Sequence, residues 1–447
     1  MIERIELLGA KVPRYTSYPT APHFHPGVTA QTFGGWLKTL SKSPLSLYVH
    51  IPFCDTLCWF CGCHTRVVNN YSPVASYLDL LFTEIDRIAE ISSFGNFVTD
   101  IHWGGGSPTT LAPRDVGRLA EHIASRFEIA SDANFAIEID PRGLTDETVR
   151  ALAEAGVNRA SVGVQDCDAM VQHAINRIQS FDVTRDAVER LRAAGIEALN
   201  IDLIYGLPYQ TTTHLEKTIA AVLTLAPDRL AVFGYAHVPH FKKHQQLIDN
   251  RALPGLSDRL EQFELAHTML TEAGYIAIGF DHFAKPGDSM AIAQAEGRLS
   301  RNFQGYTTDA APALIGFGAS SISALPQGYA QNHSGVPDYR NSIRAGGLAT
   351  ARGIQLTQDD KVRRAIIEKL MCNLSVDLEA LCDQFGIRPE AFESELAALM
   401  LLVMRGIVHI NGRKISVEPH ERFAIRLVCA AFDTYLGKSG ARHALAV

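Results

Sequence analysis

Apolar positions along the first half of the chain follow two alternating spacings, which predict strands followed by helices. Short β-branched and aromatic runs predict strands, and after them apolar residues recur every three or four positions, as on one face of a helix. Six strand–helix repeats follow one another. The predicted strands are 45–52, 98–103, 135–139, 159–164, 201–204 and 229–235. The predicted helices between them are 76–91, 113–127, 146–155, 183–194 and 213–225.

This alternation is typical of a parallel sheet with crossover helices, the α/β class. Because six repeats are fewer than the eight of a closed barrel, we expect a partial, open (β/α)6 barrel. In barrels of this kind the active site lies at the carboxyl ends of the strands. Polar or glycine-rich positions recur at these ends, at 104–106, Glu138, Gln165, Asp202 and 235–237. Their shared placement predicts a single site over the mouth of the sheet.

The pattern changes on both sides of this core, which we place at 45–275. We expect an irregular N-terminal arm at 1–44, since this stretch is rich in turn and aromatic residues. Segment 276–355 mixes aromatic, charged and glycine residues, and we interpret it as a barrel extension with substrate-side loops. Segment 356–447 has helical spacing and one hairpin with an Asn-Gly turn, which predicts a small, mostly helical C-terminal domain of winged-helix type.

Composition narrows the class of protein without indicating its chemistry. The chain has 447 residues, of which 47% are hydrophobic and 20% charged, as in a globular protein of two or three domains. Since no apolar run would span a bilayer and the N-terminus lacks the apolar region of a signal peptide, we expect a cytoplasmic protein without a membrane partner. The formal net charge of −7 argues against nucleic acid as a partner. We expect a monomer.

Four of the eight cysteines lie within ten residues, directly after the first predicted strand. Cys54, Cys58 and Cys61 have C-x3-C-x2-C spacing, and a loop of this length can supply three thiolates to a four-iron cluster. Such a cluster needs four ligands, so one iron would stay open to a small molecule. Three other interpretations remain: a disulfide, a chance grouping of buried cysteines, and a structural zinc site with Cys63 or His64 as fourth ligand.

This cysteine spacing, with aromatic Phe60 before the last cysteine, resembles the signature of the radical S-adenosylmethionine enzymes. The resemblance implies that Cys54, Cys58 and Cys61 ligate a [4Fe-4S] cluster. In that family the open iron binds the amino and carboxylate groups of S-adenosylmethionine. An electron from the cluster then cleaves this molecule to methionine and a 5′-deoxyadenosyl radical.

Longer segments resemble the oxygen-independent coproporphyrinogen III dehydrogenases over nearly the whole chain. The matching segments are Pro-Arg-Tyr-Thr-Ser-Tyr-Pro-Thr at 13–20, Leu-Tyr-Val-His-Ile-Pro-Phe-Cys at 47–54, Cys-Gly-Cys at 61–63, His-Trp-Gly-Gly-Gly at 102–106, Gly-Val-Gln-Asp at 163–166, Asn-Ile-Asp-Leu-Ile-Tyr-Gly-Leu-Pro at 200–208 and Arg-Asn-Phe-Gln-Gly-Tyr-Thr-Thr at 301–308. The resemblance implies anaerobic oxidative decarboxylation of two propionates of coproporphyrinogen III, a tetrapyrrole, to vinyl groups. The product would be protoporphyrinogen IX, in haem biosynthesis. The implied cofactors are the cluster and S-adenosylmethionine, of which two molecules can bind in this family; the electron donor and acceptor stay open.

Carried over position by position, the resemblance also implies the residues that contact S-adenosylmethionine. These are Tyr48, Phe60, Gly105, Gly106, Ser107, Glu138, Gln165, Arg177, Asp202, Ala236 and Ile322. A glycine run lets the backbone approach a polar ligand, carboxylates suit ribose hydroxyls and ammonium groups, and arginine suits a carboxylate. The substrate propionates need cationic or hydrogen-bonding partners, for which the candidates are Arg14 and Arg301, then His237, His282 and Lys285. Cys63 could tune the cluster, face the substrate or merely pack.

The sequence departs from this family pattern at three positions. Ser107 stands where Thr is common, Gly234 where Asn is common and Phe280 where Met is common. Ser107 keeps the hydroxyl, whereas the other two could reshape the substrate wall. Three alternatives of different class remain open: a haem-binding chaperone that keeps the cluster, against which the arm and Cys63 argue, a zinc-stabilised binding protein, and a different radical reaction on another tetrapyrrole.

Overall fold

The N-terminal arm contains a helix that its composition does not predict. The computed structural model describes residues 9–40, 43–92 and 97–438, so 1–8 and 41–42 of the predicted arm and 439–447 of the predicted C-terminal domain lie outside the described residues. Helix α1 (Ala30–Lys38) begins after Thr29, whose side chain accepts a hydrogen bond from the Thr32 N–H. Phe33, Trp36 and Leu37 form its buried face. The arm is therefore partly helical rather than irregular.

Six parallel strands form the centre of one large sheet, as the alternating pattern predicts. The strands of this half of the chain are β1 (Pro44–Ile51), β2 (Phe53–Cys54), β3 (Arg66–Val67), β4 (Phe97–Gly105), β5 (Glu128–Ile139), β6 (Arg159–Gln165), β7 (Ala198–Tyr205) and β8 (Arg229–Gly234). The connecting helices are α2 (Ser72–Ile91), α3 (Pro113–Arg126), α4 (Asp146–Glu154), α5 (Ala169–Ala174), α6 (Phe181–Ala193) and α7 (Thr212–Leu223). Strand β1 pairs with β4, and β4 to β8 then pair in chain order, all in parallel. The short strands β2 and β3 pair separately beside the cysteines.

The following segment extends the sheet on both sides. It contains α8 (Leu256–Glu272), β9 (Ile276–Ile278), β10 (His282–Ala284), α9 (Ser289–Ala295), β11 (Ser300–Asn302), β12 (Gly305–Thr307), β13 (Ala313–Phe317), β14 (Ile322–Leu325), β15 (Gly328–Asn332), α10 (Val336–Arg344) and β16 (Thr350–Gln355). Strand β13 pairs in parallel with β1, and β10 pairs antiparallel with β8. The sheet has twelve strands in the order β16-β15-β14-β13-β1-β4-β5-β6-β7-β8-β10-β9. Within the described ranges it ends at β16 and β9 and does not close into a barrel.

The C-terminal part is mostly helical and carries the predicted hairpin. Its elements are α11 (Gln358–Asn373), β17 (Ser375–Asp377), α12 (Leu378–Phe385), α13 (Glu393–Ala398), α14 (Met400–Met404), β18 (Val408–Asn411), β19 (Lys414–Val417) and α15 (Ile425–Ala431). This part packs against the arm: Arg426 donates hydrogen bonds to the carbonyls of Val12 and Pro13, and Tyr15 donates to Asp433 at 3.1 Å. The arm is thus held over the sheet by the far end of the chain. No helix in the described ranges combines the length and apolar character needed to cross a bilayer.

Strand β1 shows how the sequence separates core from site. Leu45, Leu47, Val49 and Ile51 are fully buried in the hydrophobic core. Because successive side chains of a strand point to opposite faces, Ser46, Tyr48 and His50 of the same strand point to the other face of the sheet. That face is polar and carries the predicted site residues.

Candidate active site

The cysteine loop leaves the carboxyl end of β1 and is fixed by hydrogen bonds from distant segments. The Trp59 N–H donates to the Ile175 carbonyl, and the Asn176 side chain donates to the Leu57 carbonyl, both at 2.9 Å. Gln245, His244 and Lys242 contact the carbonyls of Phe60, Cys61 and Cys63, respectively. The loop is therefore tied to residues 175–176 and 242–245 by backbone and side-chain contacts.

All eight cysteines are free thiols, which removes the disulfide interpretation. Arg142 Nη2 and Arg177 Nη1 lie 3.5 and 3.6 Å from Cys58 Sγ. A hydrogen bond from the Cys63 thiol, helped by the Cys63 N–H, lowers the pKa of Cys61 to about 7, whereas burial raises the pKa of Cys54 to about 12. The Cys63 donors favour the thiolate form of Cys61, which is the form that binds iron.

The glycine run at the end of β4 packs directly against this loop. Gly105 has a φ of +115°, and a Cβ there would lie 2.6 Å from the His50 ring. A Cβ on Gly106 would lie 2.5 Å from the Phe53 carbonyl oxygen. Since real Cβ contacts are never this short, the loop can take this path only with glycine at both positions. The Ser107 hydroxyl, next in sequence, hydrogen-bonds with Thr109 Oγ1 at 2.8 Å.

Glu138 on β5 is fixed by the glycine run and by a histidine on β4. Its carboxylate accepts a hydrogen bond from the Gly105 N–H at 3.1 Å and lies 3.3 Å from His102 Nε2. Burial opposes ionisation, but the hydrogen bonds from His102 and Gly105 outweigh it and hold the pKa of Glu138 below its usual value. The His102 ring stacks on Tyr48 with centroids 5.8 Å apart, and the Tyr48 hydroxyl lies 3.0 Å from His50 Nδ1. Glu138 therefore carries a negative charge at the mouth of the sheet.

Arg177 and Gln165 lie on the next part of the same edge. Arg177 is buried; its Nη2 donates to the Gly163 carbonyl at 2.7 Å and its Nη1 lies 3.3 Å from Asp140 Oδ2. Gln165 has a φ of 72°, which is strained for a residue with a side chain, and it follows the break in register between β6 and β7.

Asp202 on β7 lies deeper, inside the curve of the sheet. It accepts hydrogen bonds from Ser161 Oγ at 2.8 Å and from Asn200 Nδ2 at 2.7 Å, while burial raises its pKa. A cavity of about 240 Å³ reaches this point, and Glu138, Asp202 and Gln304 are among its lining residues. Ala236 follows β8, and Ile322 is the first residue of β14. Apart from Ile322, the predicted residues thus lie on β1, β4, β5, β6, β7 and β8 or in the connections that follow these strands.

Comparison with known proteins agrees with this geometry. The model of the radical SAM superfamily matches residues 48–222. Over 438 residues, covering 98% of this chain and 97% of the relative, the chain is 49% identical to the oxygen-independent coproporphyrinogen III oxidase of Bradyrhizobium diazoefficiens. The chain belongs to the oxygen-independent coproporphyrinogen III oxidase family. The enzyme of that name from Paracoccus denitrificans is 43% identical over 97% of this chain and 96% of its own length.

A solved structure of this oxidase family shows the same fold. Coproporphyrinogen III oxidase from Escherichia coli, described as a radical SAM enzyme, superposes with a TM-score of 0.91 at 39% identity, over 96% of this chain and 100% of that one. The predicted radical SAM fold is therefore confirmed. The cofactors of this family are a [4Fe-4S] cluster and S-adenosylmethionine. The free thiols of Cys54, Cys58 and Cys61, with two guanidinium groups beside Cys58, fit three cluster ligands.

Among the described residues no three His, Cys, Asp or Glu side chains surround a point where a single metal ion would sit. A [4Fe-4S] cluster does not need three side chains around one point, because each cysteine thiolate binds a different iron atom and the three sulfurs are therefore separated. Cys63 is exposed, and its N–H donates to Cys61 Sγ at 3.4 Å. Cys63 therefore contacts Cys61, one of the three predicted cluster ligands.

The cationic candidates of this oxidase occupy three different settings. Arg14 Nη2 donates to the Gly234 carbonyl at 2.8 Å. Arg301 donates to the carbonyls of Tyr15 and Arg14 at 3.3 and 3.4 Å, so it holds the arm. Lys285 lies at the opposite end of the sheet, where its Nζ contacts Asp228 at 3.1 Å.

The histidine candidates also differ. His237 Nδ1 lies 2.9 Å from the Tyr235 hydroxyl, whereas His282 lines the cavity that contains Glu138 and Asp202. Lys285 cannot join them, because β10 runs antiparallel to β8 and carries the chain away from the mouth.

Two departures from the family pattern now have a structural description. A Cβ on Gly234 would lie 2.9 Å from the Tyr205 hydroxyl and 3.2 Å from Arg259 Nη2, so an Asn at this position would require both side chains to move. Phe280 is buried and stacks on Phe263 with centroids 5.5 Å apart. Phe280 therefore belongs to the hydrophobic core.

Sequence reasoning missed several residues that hold the site together. His102 contacts Glu138, His50 contacts Tyr48, Arg142 contacts Cys58, and Gln304 lines the cavity. His50, His102 and Gln304 all lie inside segments that matched the family, and this was the available signal. Arg142 had no such signal.

Proposed function

We propose that this oxidase converts coproporphyrinogen III to protoporphyrinogen IX without oxygen, by oxidative decarboxylation of two propionates to vinyl groups. The observation that carries the proposal is the meeting of three free thiols, a close-packed glycine run and a charged Glu138 at neighbouring strand ends. The substrate class follows from relatives of that name that match over almost the full length of the chain.

The cofactor residues divide by chemistry. We propose that Cys54, Cys58 and Cys61 hold the cluster, and that Glu138 accepts hydrogen bonds from the ammonium group of S-adenosylmethionine. When bound at these residues, the cluster and S-adenosylmethionine would supply the radical chemistry that removes a hydrogen atom from the propionate β-carbon.

The other proposed contacts surround these two groups. Asp202 suits ribose hydroxyls, and Arg177 suits a carboxylate. The remaining contacts would come from Tyr48, Phe60, Gly105, Gly106, Ser107, Gln165, Ala236 and Ile322.

The substrate needs orientation and exclusion of water. Each propionate loses a hydrogen atom, an electron and CO2, and the electron passes to an external acceptor. The arm supports a closed site, because Arg426 and Asp433 bind it over the sheet, and Arg14 reaches from it to Gly234. We propose that Arg14, Arg301 and Cys63 act on the substrate side, with the two arginines offering charge to the propionates.

We also propose a division of the chain into an arm (1–44), a catalytic core (45–275), an extension (276–355) and a C-terminal domain (356–447). The extension adds strands on both sides of the core sheet, which supports placing it between core and C-terminal domain. We further propose that the oxidase is cytoplasmic, since a reducing compartment keeps cluster thiols free. We also propose that it is a monomer.

Turnover under strict anaerobiosis tests this function. Reconstituted protein receives reductant, S-adenosylmethionine, coproporphyrinogen III and cell extract as acceptor source, and the products are oxidised and separated by chromatography. We expect a two-vinyl porphyrin that depends on S-adenosylmethionine, and none from Cys58→Ala. Intact substrate from protein with a reducible cluster would refute the proposed reaction and favour a haem chaperone or another tetrapyrrole.

A further inference from the structure

Asp281 and His282 form a carboxylate–imidazole pair at the start of β10, the strand that pairs antiparallel with β8. His282, the first residue of β10, has Nδ1 2.7 Å from Oδ1 of the preceding Asp281, and both side chains are about nine-tenths buried. Burial opposes the charge on Asp281, but His282, Arg301 and Arg14 outweigh it and keep its pKa below the usual value. A carboxylate in this position fixes the orientation of the ring and stabilises it when doubly protonated.

The remaining ring nitrogen points away from this pair. The His282 ring lies edge-on between Phe233 and Tyr306, with centroids 5.5 and 5.1 Å away. Gly305, with a φ of +135°, lies beside this nitrogen, and a Cβ there would be 3.5 Å from His282 Nε2, in van der Waals contact. Within the ranges that the structure describes, no protein group hydrogen-bonds with Nε2.

His282 lines the same cavity as Glu138, Asp202 and Gln304, on the inside of the sheet. Two arginines also line this cavity, Arg159 and Arg229, and both face Asp288. His102 lines it too, and its Nε2 lies 3.3 Å from Glu138. The His282 ring also acts on Asp202, since its charge lowers the pKa that burial raises. The imidazole is therefore close to the residues proposed to hold S-adenosylmethionine.

We propose that His282, oriented by Asp281, holds a propionate carboxylate of the substrate inside the barrel. Nδ1–H donates to Asp281 and Nε2–H donates to the carboxylate, which makes His282 a substrate-binding residue and Asp281 its positioning residue. The inference rests on the proposed function for the identity of the substrate. The assignment adds His282 to Arg14 and Arg301, whose guanidinium groups also donate to carbonyls of the protein.

Equilibrium binding of coproporphyrinogen III to reconstituted protein tests this role without turnover. Protein and substrate are mixed anaerobically without reductant, separated by ultrafiltration, and the fractions are oxidised for fluorescence. His282→Gln keeps a neutral amide donor near the position of Nε2, but it loses the Nδ1 contact with Asp281 and cannot carry the charge. We expect at least a tenfold rise in Kd, the size of a lost charge-assisted hydrogen bond.

The tetramethyl ester of coproporphyrinogen III is the second probe, because it has no carboxylates. We expect the ester to bind wild type and His282→Gln equally. The matched control is His122→Gln, which removes another histidine beside a carboxylate: His122 Nε2 lies 3.0 Å from Asp86 and its ring packs on Phe82, on the outside of the sheet. That variant should bind both probes as wild type does.

The possible outcomes are distinct. Equal affinity of wild type and His282→Gln for the acid overturns the assignment. So does a matching loss for acid and ester, which would show a structural role only. Failure of wild type to bind the acid at all would instead refute the proposed substrate.

Discussion

Replacing Gly105 by Ala tests whether the glycine run must pass this close to the cysteine loop. At a φ of +115° a residue with a side chain is strained, at a cost of about 1–2 kcal/mol. The new Cβ would also lie 2.6 Å from His50, whose ring contacts Tyr48, the His64 carbonyl and Ser320 and so cannot turn aside cheaply. Overpacking of this kind adds about 1–3 kcal/mol. We therefore expect Gly105→Ala to lose about 2–5 kcal/mol of unfolding free energy.

Gly156→Ala is the matched control, because Gly156 also has a positive φ of +88° but a Cβ there would meet nothing within 4 Å. It should lose only the backbone part, about 1–2 kcal/mol. Urea unfolding of anaerobically reconstituted protein, followed by circular dichroism, measures both. Binding of S-adenosylmethionine should weaken only in Gly105→Ala, because the Gly105 N–H that fixes Glu138 moves. Equal stability and equal affinity of the two variants would refute the close approach.

Three further results are expected. Burial raises the pKa of Glu84 from 4.5 to about 7, so the contribution of its protonated form to stability is complete below pH 4.5 and is lost as the pH rises through 7. In urea titrations from pH 5 to pH 8, the unfolding free energy of wild type should fall by about 2–3 kcal/mol relative to that of Glu84→Gln. Parallel pH curves for the two proteins would contradict this. Arg177→Met removes the guanidinium beside Cys58 and should weaken S-adenosylmethionine binding at least tenfold in equilibrium dialysis, whereas the exposed Arg185→Met should not. Gly234→Asn should lower stability by about 1–3 kcal/mol, because its Cβ would lie 2.9 Å from the Tyr205 hydroxyl; an unchanged thermal midpoint would speak against this packing.

The central strands and helices could be predicted because their pattern is local. Strand β1 alternates buried apolar and inward polar residues along its length, and its predicted and observed ends differ by one residue. Strand β5 begins seven residues earlier than predicted, at Glu128, because 128–134 contain no buried residue and so show no apolar spacing. Helix α1 was missed for a related reason, since its three buried residues form too short a pattern within a turn-rich arm.

The extension of the sheet could not be predicted from spacing. Strand β13 pairs with β1 although more than 250 residues separate them, and nothing in either local sequence specifies a partner so far away. The antiparallel direction of β10 is also set by long-range pairing. Because of this direction, His282 lies on the site side of the strand and Lys285 lies at the opposite end. Both depend on tertiary packing.

The candidate site also combines features that the sequence could predict with features that depend on the fold. The cysteine spacing and the glycine run are short, contiguous motifs, so sequence alone could indicate them. The contacts that fix them come from remote segments: Gln245 on the Phe60 carbonyl, Arg142 on Cys58, and His102 on Glu138. These pairs are brought together only by the fold. The cavity that His282 lines is likewise formed by residues from strands far apart in the sequence.

The central claim is that three cysteines hold a cluster whose remaining iron binds S-adenosylmethionine. The most direct test is the electron paramagnetic resonance spectrum of the reduced cluster, with and without S-adenosylmethionine, in wild type, Cys63→Ala and Cys58→Ala. We predict a [4Fe-4S] signal that changes shape with S-adenosylmethionine in wild type and in Cys63→Ala, and no such signal in Cys58→Ala. Loss of the cluster in Cys63→Ala, or a wild-type spectrum indifferent to S-adenosylmethionine, would contradict the account.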